Sequence, residues 1–330
     1  MKMARRASLL LACCLSLAMV GCQDKPAKTD NAAVTFNMSW LPQGSMGGVI
    51  AAIDKGFYAE QGLTVNVTRG FGGVRTVNEL DQGMFQFGYG DPVSVILNRS
   101  KGGHVKMVGA INTRWPAALC YIVERHKIDK PQDLVGLTVG GGQSSAMQVV
   151  VPAWLKRNGV DATRVKMMQL DPAVIVTSLV EGKIDAGECW RGNSLPLFRK
   201  RATEAGLTLG VLPYDRFGLD IYGSGVMASD ATIAKDPELV RKFLAATYKG
   251  YAWAGDHPDE AVALLVKRYP VLDPKVTREQ LLETRELMAA GRHFDPARMD
   301  GAVAFLTDAY GLKNPPAAAD VFTNDLLEPR

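Results

Sequence analysis

Acidic and aromatic residues occur in loops that follow predicted strands. Glu188 and Trp190 share one such loop, and Asp91 lies in another. A carboxylate enclosed in a cleft either pairs with a cationic or N–H donor or has a raised pKa. An aromatic face nearby can stack on a planar ring or cover a cationic group. These loops therefore indicate binding of a small polar molecule, and the sequence contains neither a Gly-x-Ser-x-Gly elbow nor a His-Glu-x-x-His helix.

The candidate ligand-binding residues share a position in or beside such a loop. They are Trp40, Gln43, Ser45, Phe71, Asp91, Gln143, Ser144, Ser145, Glu188, Trp190 and Asp220. Structural explanations remain open for several of them. An aspartate before Pro92 can simply cap a helix. The aromatic residues, including the further candidates Tyr89 and Trp115, can pack in a core.

The charged residues give opposing indications of ligand type. Glu188 favours a ligand that offers N–H groups, such as an aminopyrimidine. Arg75, Arg114 and Arg191 favour a carboxylate or sulfonate, because a forked guanidinium binds such groups. Helix N-termini predicted after Ser45 and Ser145 also favour a polar or anionic ligand. Both ligand types remain open on the sequence.

An internal repeat with an offset of about a hundred residues organises these loops. Gln43 and Gln143 stand at equivalent places, and a Leu-x-x-Gly pattern followed by an alternating strand recurs at Gly83 and Gly182. Each copy predicts a strand, a loop, a helix and a second strand, with the helices at residues 49–61 and 146–158. Helix-length segments between strands imply parallel sheets, whose ligands bind beyond the carboxyl ends of the strands. The sequence therefore predicts two similar α/β lobes with their loops facing one cleft.

The N-terminus has the pattern of an export signal. Three basic residues precede an uncharged, mostly apolar run from Ala7 to Gly21, which is shorter than the roughly twenty residues of a membrane-spanning helix. Residues 1–21 are thus predicted to be a signal peptide that resembles those of bacterial lipoproteins. Cys22 would be acylated after cleavage, and residues 22–33 would form a polar, lipidated tether.

Composition limits the remaining possibilities. The chain of 330 residues has 38 Lys and Arg against 34 Asp and Glu, and the predicted signal carries three of the four net positive charges. This balance gives no support to nucleic-acid binding. Only Cys120 and Cys189 could pair in the mature protein, and the sequence leaves that disulfide open. The length exceeds one ordinary core, so two domains are expected.

Five sequence segments resemble periplasmic solute-binding proteins of ABC importers, in the family that binds thiamine-precursor pyrimidines, nitrate, taurine and alkyl sulfonates. The segments are residues 39–42, 52–63, 128–136, 179–190 and 236–243. The resemblance implies an α/β, type II periplasmic binding protein fold: two lobes with mostly parallel sheets, two crossover segments and a C-terminal helical layer on the first lobe. Residues 34–121 and 224–330 would form lobe 1, and residues 122–223 would form lobe 2.

The expected function is therefore capture of a small polar organic molecule by closure of two lobes. The resemblance implies a monomer without cofactor or metal, which delivers its ligand to an ABC permease from the periplasm or cell-envelope surface. One alternative is a ligand-presenting sensor. Another is an enzyme like the pyrimidine synthase of thiamine biosynthesis, which needs a lysine for pyridoxal phosphate, a donor histidine and a cysteine-rich motif. Here residues 187–192 hold one cysteine, and no histidine falls in a predicted cleft loop.

Overall fold

The described chain contains two five-stranded sheets surrounded by helices. The computed structural model describes residues 31–329. The predicted signal peptide, Cys22 and most of the predicted tether lie outside this range. The first sheet has the strand order β2-β1-β3-β10-β4. Its strands are β1 (Ala32–Asn37), β2 (Leu63–Thr68), β3 (Phe87–Gly90), β4 (Val105–Ala110) and β10 (Gly225–Ser229).

The second sheet repeats the plan of the first. Its order is β7-β6-β8-β5-β9, and in each sheet one strand, β10 or β5, runs antiparallel to its neighbours. The strands are β5 (Ala117–Ile122), β6 (Thr138–Gly142), β7 (Lys166–Leu170), β8 (Ala186–Trp190) and β9 (Leu209–Pro213). The antiparallel strand of each sheet adjoins the crossover that links the two sheets. This arrangement confirms the internal repeat and the type II periplasmic binding protein fold, and we call each sheet with its helices a lobe.

Helices follow most strands and cover both sheets. In the first lobe they are α1 (Gly47–Asp54), α2 (Phe57–Glu60), α3 (Gly73–Asp81) and α4 (Pro92–Arg99). In the second lobe they are α5 (Met147–Arg157), α6 (Ile175–Val180) and α7 (Leu195–Glu204). The C-terminal helices are α8 (Asp230–Lys235), α9 (Pro237–Asp256), α10 (Pro258–Arg268), α11 (Pro274–Leu287), α12 (Pro296–Phe305) and α13 (Ala318–Val321), with a π-helix at Leu306–Tyr310.

Three predicted boundaries differ from the structure. The single helix predicted over residues 49–61 is divided into α1 and α2, because Gly56 adopts a left-handed conformation with φ of 80°. The predicted tether ends too late, since Ala32 and Ala33 already pair with β2. Residues 117–121 were assigned to the first lobe, but as part of β5 they pair with β8 and β9 in the second. An apolar strand sequence does not itself indicate which sheet it joins.

The C-terminal helices form a layer on the first lobe and also reach the second. Helix α9 begins at an Asp236 cap and packs against α1. Its Phe243 ring stacks on Phe87 at a centroid distance of 4.0 Å, which anchors the layer to the first sheet. Helix α11 contacts both the loop before α1 and helix α7, while the π-helix contacts α5. The layer therefore connects the two lobes on two sides.

A disulfide joins Cys120 of β5 to Cys189 of β8 across adjacent strands. Both side chains are fully buried in an apolar cluster that includes Leu179 and Phe198. The bond ties the strand at the first crossover to the strand that carries Glu188 and Trp190. It closes a long loop, since the two cysteines are 69 residues apart.

Replacing Cys120 with Ala is expected to lower the free energy of unfolding by about 2–5 kcal/mol, because the reduced chain gains conformational entropy when it unfolds. Denaturant titration under oxidising conditions measures this loss. The Cys189→Ala variant and the double variant should show nearly the same loss, since either change removes the whole bond. A wild-type protein whose stability is unchanged by reductant would contradict the prediction.

Candidate ligand-binding cleft

A small polar cavity lies where the carboxyl ends of β1, β3, β6 and β8 approach one another. We call it the inner chamber, and its volume is about 50 Å³. Its lining residues come from both lobes: Ser39, Trp40, Gln43, Gly73, Tyr89, Gly90, Asp91, Ser145, Ala146, Glu188, Trp190, Asn193 and Ser224. A single water needs about 10–15 Å³ by the same measure, so the chamber holds only a compact polar group.

Glu188 is the most densely bonded side chain of the inner chamber. It is 3% exposed. One carboxylate oxygen accepts hydrogen bonds from the Ser145 hydroxyl and from Trp190 Nε1, the latter at 2.7 Å. The other accepts the Gly142 backbone N–H at 3.0 Å. A carboxylate can accept about four hydrogen bonds, so Glu188 is firmly oriented and keeps acceptor capacity for a ligand.

Two of the three donors to Glu188, the Gly142 N–H and the Ser145 hydroxyl, come from the segment that precedes α5. The sequence predicted that this loop and helix start would face a polar or anionic ligand. In the structure the protein's own carboxylate accepts the Gly142 N–H, and the Ser145 hydroxyl accepts the Met147 N–H at 3.2 Å. Two N–H groups at this helix start are therefore already bonded within the protein, which weakens one indication in favour of an anionic ligand.

Asp91 serves both as a helix cap and as part of the chamber wall. Its side chain accepts the Ser94 backbone N–H and the Ser94 hydroxyl, each at 2.9 Å, at the start of α4. Burial raises its pKa to about 6, although the Ser94 hydrogen bonds act in the opposite direction. The capping explanation and the binding-site explanation thus apply to the same residue.

The two buried carboxylates give the inner chamber its acceptor character. Burial raises the pKa of Glu188, its three hydrogen bonds lower it, and the negative charge of Asp91 raises it further. Within residues 31–329, neither carboxylate is joined to a basic side chain. A cationic or N–H-rich group placed between them would relieve this unfavourable burial of charge.

Trp40 and Trp190 are aromatic walls of the chamber. Trp40 belongs to the loop after β1, but its ring packs against Gly142 and the apolar cluster of the second lobe. A Cβ atom at Gly142 would lie 2.6 Å from the Trp40 ring, so a residue without a side chain is required there. Trp190 packs on Trp115 at a centroid distance of 4.8 Å. Trp115 therefore packs against Trp190, which forms part of the chamber wall.

Backbone geometry beside the chamber is unusual at two places. Ser39 has φ of 64°, a left-handed conformation that non-glycine residues adopt at a cost, and its carbonyl accepts the Gly72 N–H at 2.7 Å. Across the cleft, the Ser144 carbonyl accepts the Val74 N–H at 3.1 Å. A side chain at Gly72 would collide with Ser144, so these two loops can meet only because Gly72 is there. The segment with Gly72 and Val74 thus joins the strained Ser39 loop to the second lobe.

A second, larger cavity continues outward from the inner chamber. We call it the outer chamber, and its volume is about 630 Å³. Trp40, Gln43, Glu188 and Trp190 line both cavities and so form the neck between them. The rest of the outer chamber is formed by the Leu41–Pro42 segment, residues 172–176, α7 and the region from Val271 to Gln280.

Six of the candidate residues are brought together in the inner chamber. They are Trp40, Gln43, Asp91, Ser145, Glu188 and Trp190. Ser45 is buried directly behind this group, where its hydroxyl accepts a hydrogen bond from Gln43 Nε2 at 3.0 Å and its carbonyl accepts one from the Tyr251 hydroxyl at 2.8 Å. Its position indicates that it orients Gln43.

Four candidates lie outside the chamber. Phe71 packs between the guanidinium groups of Arg69 and Arg75. The Gln143 side chain is exposed, and Ser144 contributes its carbonyl to the contact between lobes. Asp220 is exposed and pairs with Arg298 at 2.7 Å, beside a separate surface depression. Position after a strand was thus insufficient to identify side chains that point into the cleft.

The arginines that favoured an anionic ligand do not line the inner chamber. Arg75 pairs with Glu79 on α3 at 2.7 Å, and Arg191 pairs with Glu286 of α11. Arg114 has an exposed side chain. The chamber wall contains no basic side chain, so its chemistry favours N–H donors over a sulfonate or nitrate group.

Tyr89 and Asn193 are chamber residues that the candidate set omitted. Among the described residues, Asn193 Oδ1 is buried without a hydrogen-bond partner, whereas the buried Tyr89 hydroxyl interacts with the Ser224 and Asn112 side chains. Buried polar atoms are normally satisfied, so Asn193 Oδ1 is available to a ligand. Tyr89 was considered only as an aromatic residue of a strand-end loop. Its place two residues before Asp91 on a buried strand end was the available signal, whereas nothing in the sequence distinguished Asn193.

Comparison with known proteins places the chain in a family. The profile of the family described as NMT1/THI5 like matches residues 43–261, which is more than half of the chain. The chain belongs to the NMT1/THI5-like family. The match includes the end of the loop before α1, β3 and α4, the whole second lobe and all of α9, and therefore most of the cleft.

Three proteins similar to this NMT1/THI5-like chain are informative. The formylaminopyrimidine-binding protein of Halalkalibacterium halodurans is 27% identical over 81% of this chain and 79% of that protein. The riboflavin-binding protein RibY of Chloroflexus aurantiacus is 28% identical over 72% of this chain and 66% of that protein. The crystal structure of the periplasmic aliphatic sulphonate binding protein of Escherichia coli matches with a TM-score of 0.66 and 17% identity, over 88% and 97% of the two chains. This last likeness supports the fold.

Residues 31–329 contain neither a metal-type cluster nor a membrane-spanning helix. No cluster of three or more His, Cys, Asp or Glu side chains there has the arrangement of a metal site. None of the helices in that range combines the length and apolar character needed to cross a bilayer.

The Asp91→Asn variant tests the electrostatics of the inner chamber. The pKa of Asp91 rises from its ordinary 3.8 to about 6 on folding. Its stabilising contribution is therefore complete below about pH 4 and is lost as the pH rises through 6. Wild-type stability should fall by up to about 3 kcal/mol relative to Asp91→Asn between pH 4 and 7. Asparagine can still cap α4.

Denaturant titrations at several pH values measure this difference in the ligand-free protein. Far-UV circular dichroism of both proteins at pH 7 provides the control for an intact fold. Parallel stability profiles of wild type and variant would show that burial does not perturb Asp91.

Proposed function

We propose that this protein is the extracytoplasmic solute-binding component of an ABC importer and captures a small organic molecule with an N–H-rich, aminopyrimidine-type edge. Closure of the two lobes places that edge between Asp91 and Glu188, with Trp40 and Trp190 against its faces. A ligand that contacts both lobes stabilises the closed state, because it has more contacts there than in the open state.

The observation that carries this proposal is the pair of buried carboxylates without a basic partner among the described residues. Glu188 is already held by three protein donors and still has acceptor capacity. Asn193 Oδ1 adds another unsatisfied acceptor to the same wall. Amino and ring N–H groups satisfy such acceptors, whereas a sulfonate or nitrate would add negative charge beside them.

The relatives support the same ligand chemistry. One is named for binding a formylaminopyrimidine and another for binding riboflavin. The sulphonate-binding neighbour shares the fold at lower identity. We therefore favour a nitrogen heterocycle over a sulfonate, a taurine-type ligand or another organic anion.

The cellular arrangement is a further part of the proposal and is supported by the N-terminal sequence. We propose that residues 1–21 are removed as a signal peptide, that Cys22 carries the acyl anchor, and that the two-lobed body acts as a monomer beside its permease. The Cys120–Cys189 disulfide supports an oxidising compartment such as the periplasm or cell-envelope surface. A sensor would use the same closure and present the ligand to a receptor.

Catalysis has less support than binding. The family's related pyrimidine synthase needs a lysine for pyridoxal phosphate and a donor histidine. The inner chamber is lined by neither residue type. The similar proteins reported above are named for binding, and we propose that this chain likewise releases its ligand unchanged.

Closure also joins charged residues of the two lobes. Acidic residues on and before α11 face basic residues of the second lobe: Asp273, Glu279, Glu283 and Glu286 meet Arg191, Arg199 and Lys200. Glu283 also accepts the Gly192 N–H, two residues beyond Trp190. We call this set the α11 latch. Because it links α11 to the binding loop, it should contribute to the closed state that the ligand selects.

Thermal-shift screening of the protein without residues 1–21 tests the proposed function, since a ligand that prefers the folded state raises the Tm. Aminopyrimidines and other N–H-rich heterocycles should raise the Tm, whereas nitrate, taurine and alkyl sulfonates should not. Conversion of a hit to a new product would favour the enzyme instead.

The Glu188→Gln variant should weaken binding of such a hit by tenfold or more, about 1.4 kcal/mol or above, because the amide replaces an acceptor oxygen with a donor. Isothermal titration calorimetry measures this change. Glu181→Gln, at an exposed position of the same lobe, is the matched control and should bind normally. Unchanged affinity in a folded Glu188→Gln protein would place the ligand elsewhere.

The Trp190→Ala variant should lose far more free energy of ligand binding than free energy of folding.

The Arg199→Gln variant tests the α11 latch, since it removes contacts to Glu279 and Glu283. Exposed ion pairs contribute up to about 1 kcal/mol each, so ligand affinity should fall about two- to fivefold and depend less on salt. Titrations in low and high salt measure both effects. Arg241→Gln removes a pair within α9 and should leave both unchanged. Wild-type salt dependence in Arg199→Gln would exclude a role of the latch in closure.

A further inference from the structure

The two chambers differ greatly in volume. The inner chamber measures about 50 Å³ and the outer chamber about 630 Å³. Pockets that enclose whole organic ligands measure about 300–1,000 Å³. The inner chamber alone is too small for such a ligand, whereas the outer chamber falls within this range.

The two chambers also differ in chemistry. Both buried carboxylates line the inner chamber, and Glu188 also belongs to the neck. Most of the outer chamber is lined by aliphatic or aromatic side chains. Its apolar lining comes from both sides of the cleft: Leu41, Pro42, Ile175, Val176, Leu197, Phe198, Leu272 and Val276. The charged side chains at its edge are already paired, Lys200 with Asp273 and Arg201 with Glu204. An apolar group can therefore enter without leaving these charges unpaired.

Exposed valines lie at the mouth of the outer chamber on both sides. Val271 lines it and is 89% exposed, the highest value among the large hydrophobic side chains of the described chain. Val174 is 44% exposed and lies between the lining residues Ala173 and Ile175. Apolar surface at the rim continues the apolar lining, and a bound apolar group would remove it from water.

The neck residues determine how one molecule can occupy both spaces. Trp40, Gln43, Glu188 and Trp190 line both chambers, so a ligand bonded to Glu188 extends past the two indole rings into the outer chamber. We infer that the ligand has two parts: an N–H-rich heterocyclic head in the inner chamber and an apolar, ring-sized substituent in the outer chamber. This inference rests on the proposed function and specifies its substrate class.

Matched compounds that share a head test the inference. The pairs are 4-aminopyrimidine with 5-benzyl-4-aminopyrimidine, and adenine with N6-benzyladenine. Calorimetric titration should show at least tenfold tighter binding of the benzyl compound in one pair or both, because the ring buries apolar area in the outer chamber. Equal or weaker binding of both benzyl compounds would overturn the inference.

The Val271→Asp variant locates the gain. Its side chain is exposed, so the fold should tolerate the change. The benzyl gain is the ratio of the affinities of the benzyl compound and the unsubstituted head, both measured on the same protein. In this variant the logarithm of that ratio should fall to half of its wild-type value or less. Val123→Asp, an exposed valine outside both chambers, is the matched control and should keep the gain. Leu197→Ser provides a second test on the chamber wall. A benzyl gain retained in both Val271→Asp and Leu197→Ser would exclude the outer chamber.

Failure of this inference can be distinguished from failure of the proposed function. The unsubstituted heads could bind with an affinity that depends on Glu188 and does not increase when the benzyl ring is added. In that case the outer chamber is only an entrance, and the proposed function stands. If no head binds with or without the ring, the proposed function fails and the two-part ligand fails with it.

Discussion

The site depends on how one buried carboxylate is held. Glu188 is oriented by a backbone N–H, a serine hydroxyl and an indole N–H that come from two loops of the second lobe. These bonds lower the cost of burying its charge but do not cancel it, and burial still raises its pKa. The remaining free-energy cost of burying this charge would make the proposed site selective. A ligand with matching hydrogen-bond donors would offset that cost, whereas a ligand without them would not.

The same arrangement bears on the two ligand types that the sequence left open. Helix starts in open α/β folds commonly bind anions through free N–H groups. Here Ser145 accepts the Met147 N–H, and Glu188 accepts the Gly142 N–H. A protein carboxylate thus takes the place that an external anion could occupy, in keeping with the proposal of a ligand that donates hydrogen bonds. A fold that serves a sulphonate-binding neighbour can in this way present an acceptor-rich wall.

The sequence predicted the repeat, the two sheets and most helices, because apolar periodicity and glycine positions are local signals. It misplaced residues 117–121, because strand sequence does not specify which sheet a strand joins. In the site it identified Glu188 and Trp190 through their residue types. It could not exclude Asp220 or Gln143, because the direction of a side chain depends on backbone geometry and packing beyond the loop itself. Asn193 was omitted for the same reason, since only the structure shows its oxygen buried in the wall.

The strand orders have a consequence for biogenesis. All five strands of the second sheet are present once the chain has been made to Pro213, but the first sheet still lacks β10, which lies between β3 and β4. During synthesis from the N-terminus, the lobe that starts later is therefore the first to have its complete sheet. The earlier lobe lacks its β10 strand until Ser229 has been made, and until then β3 and β4 each have an unpaired edge.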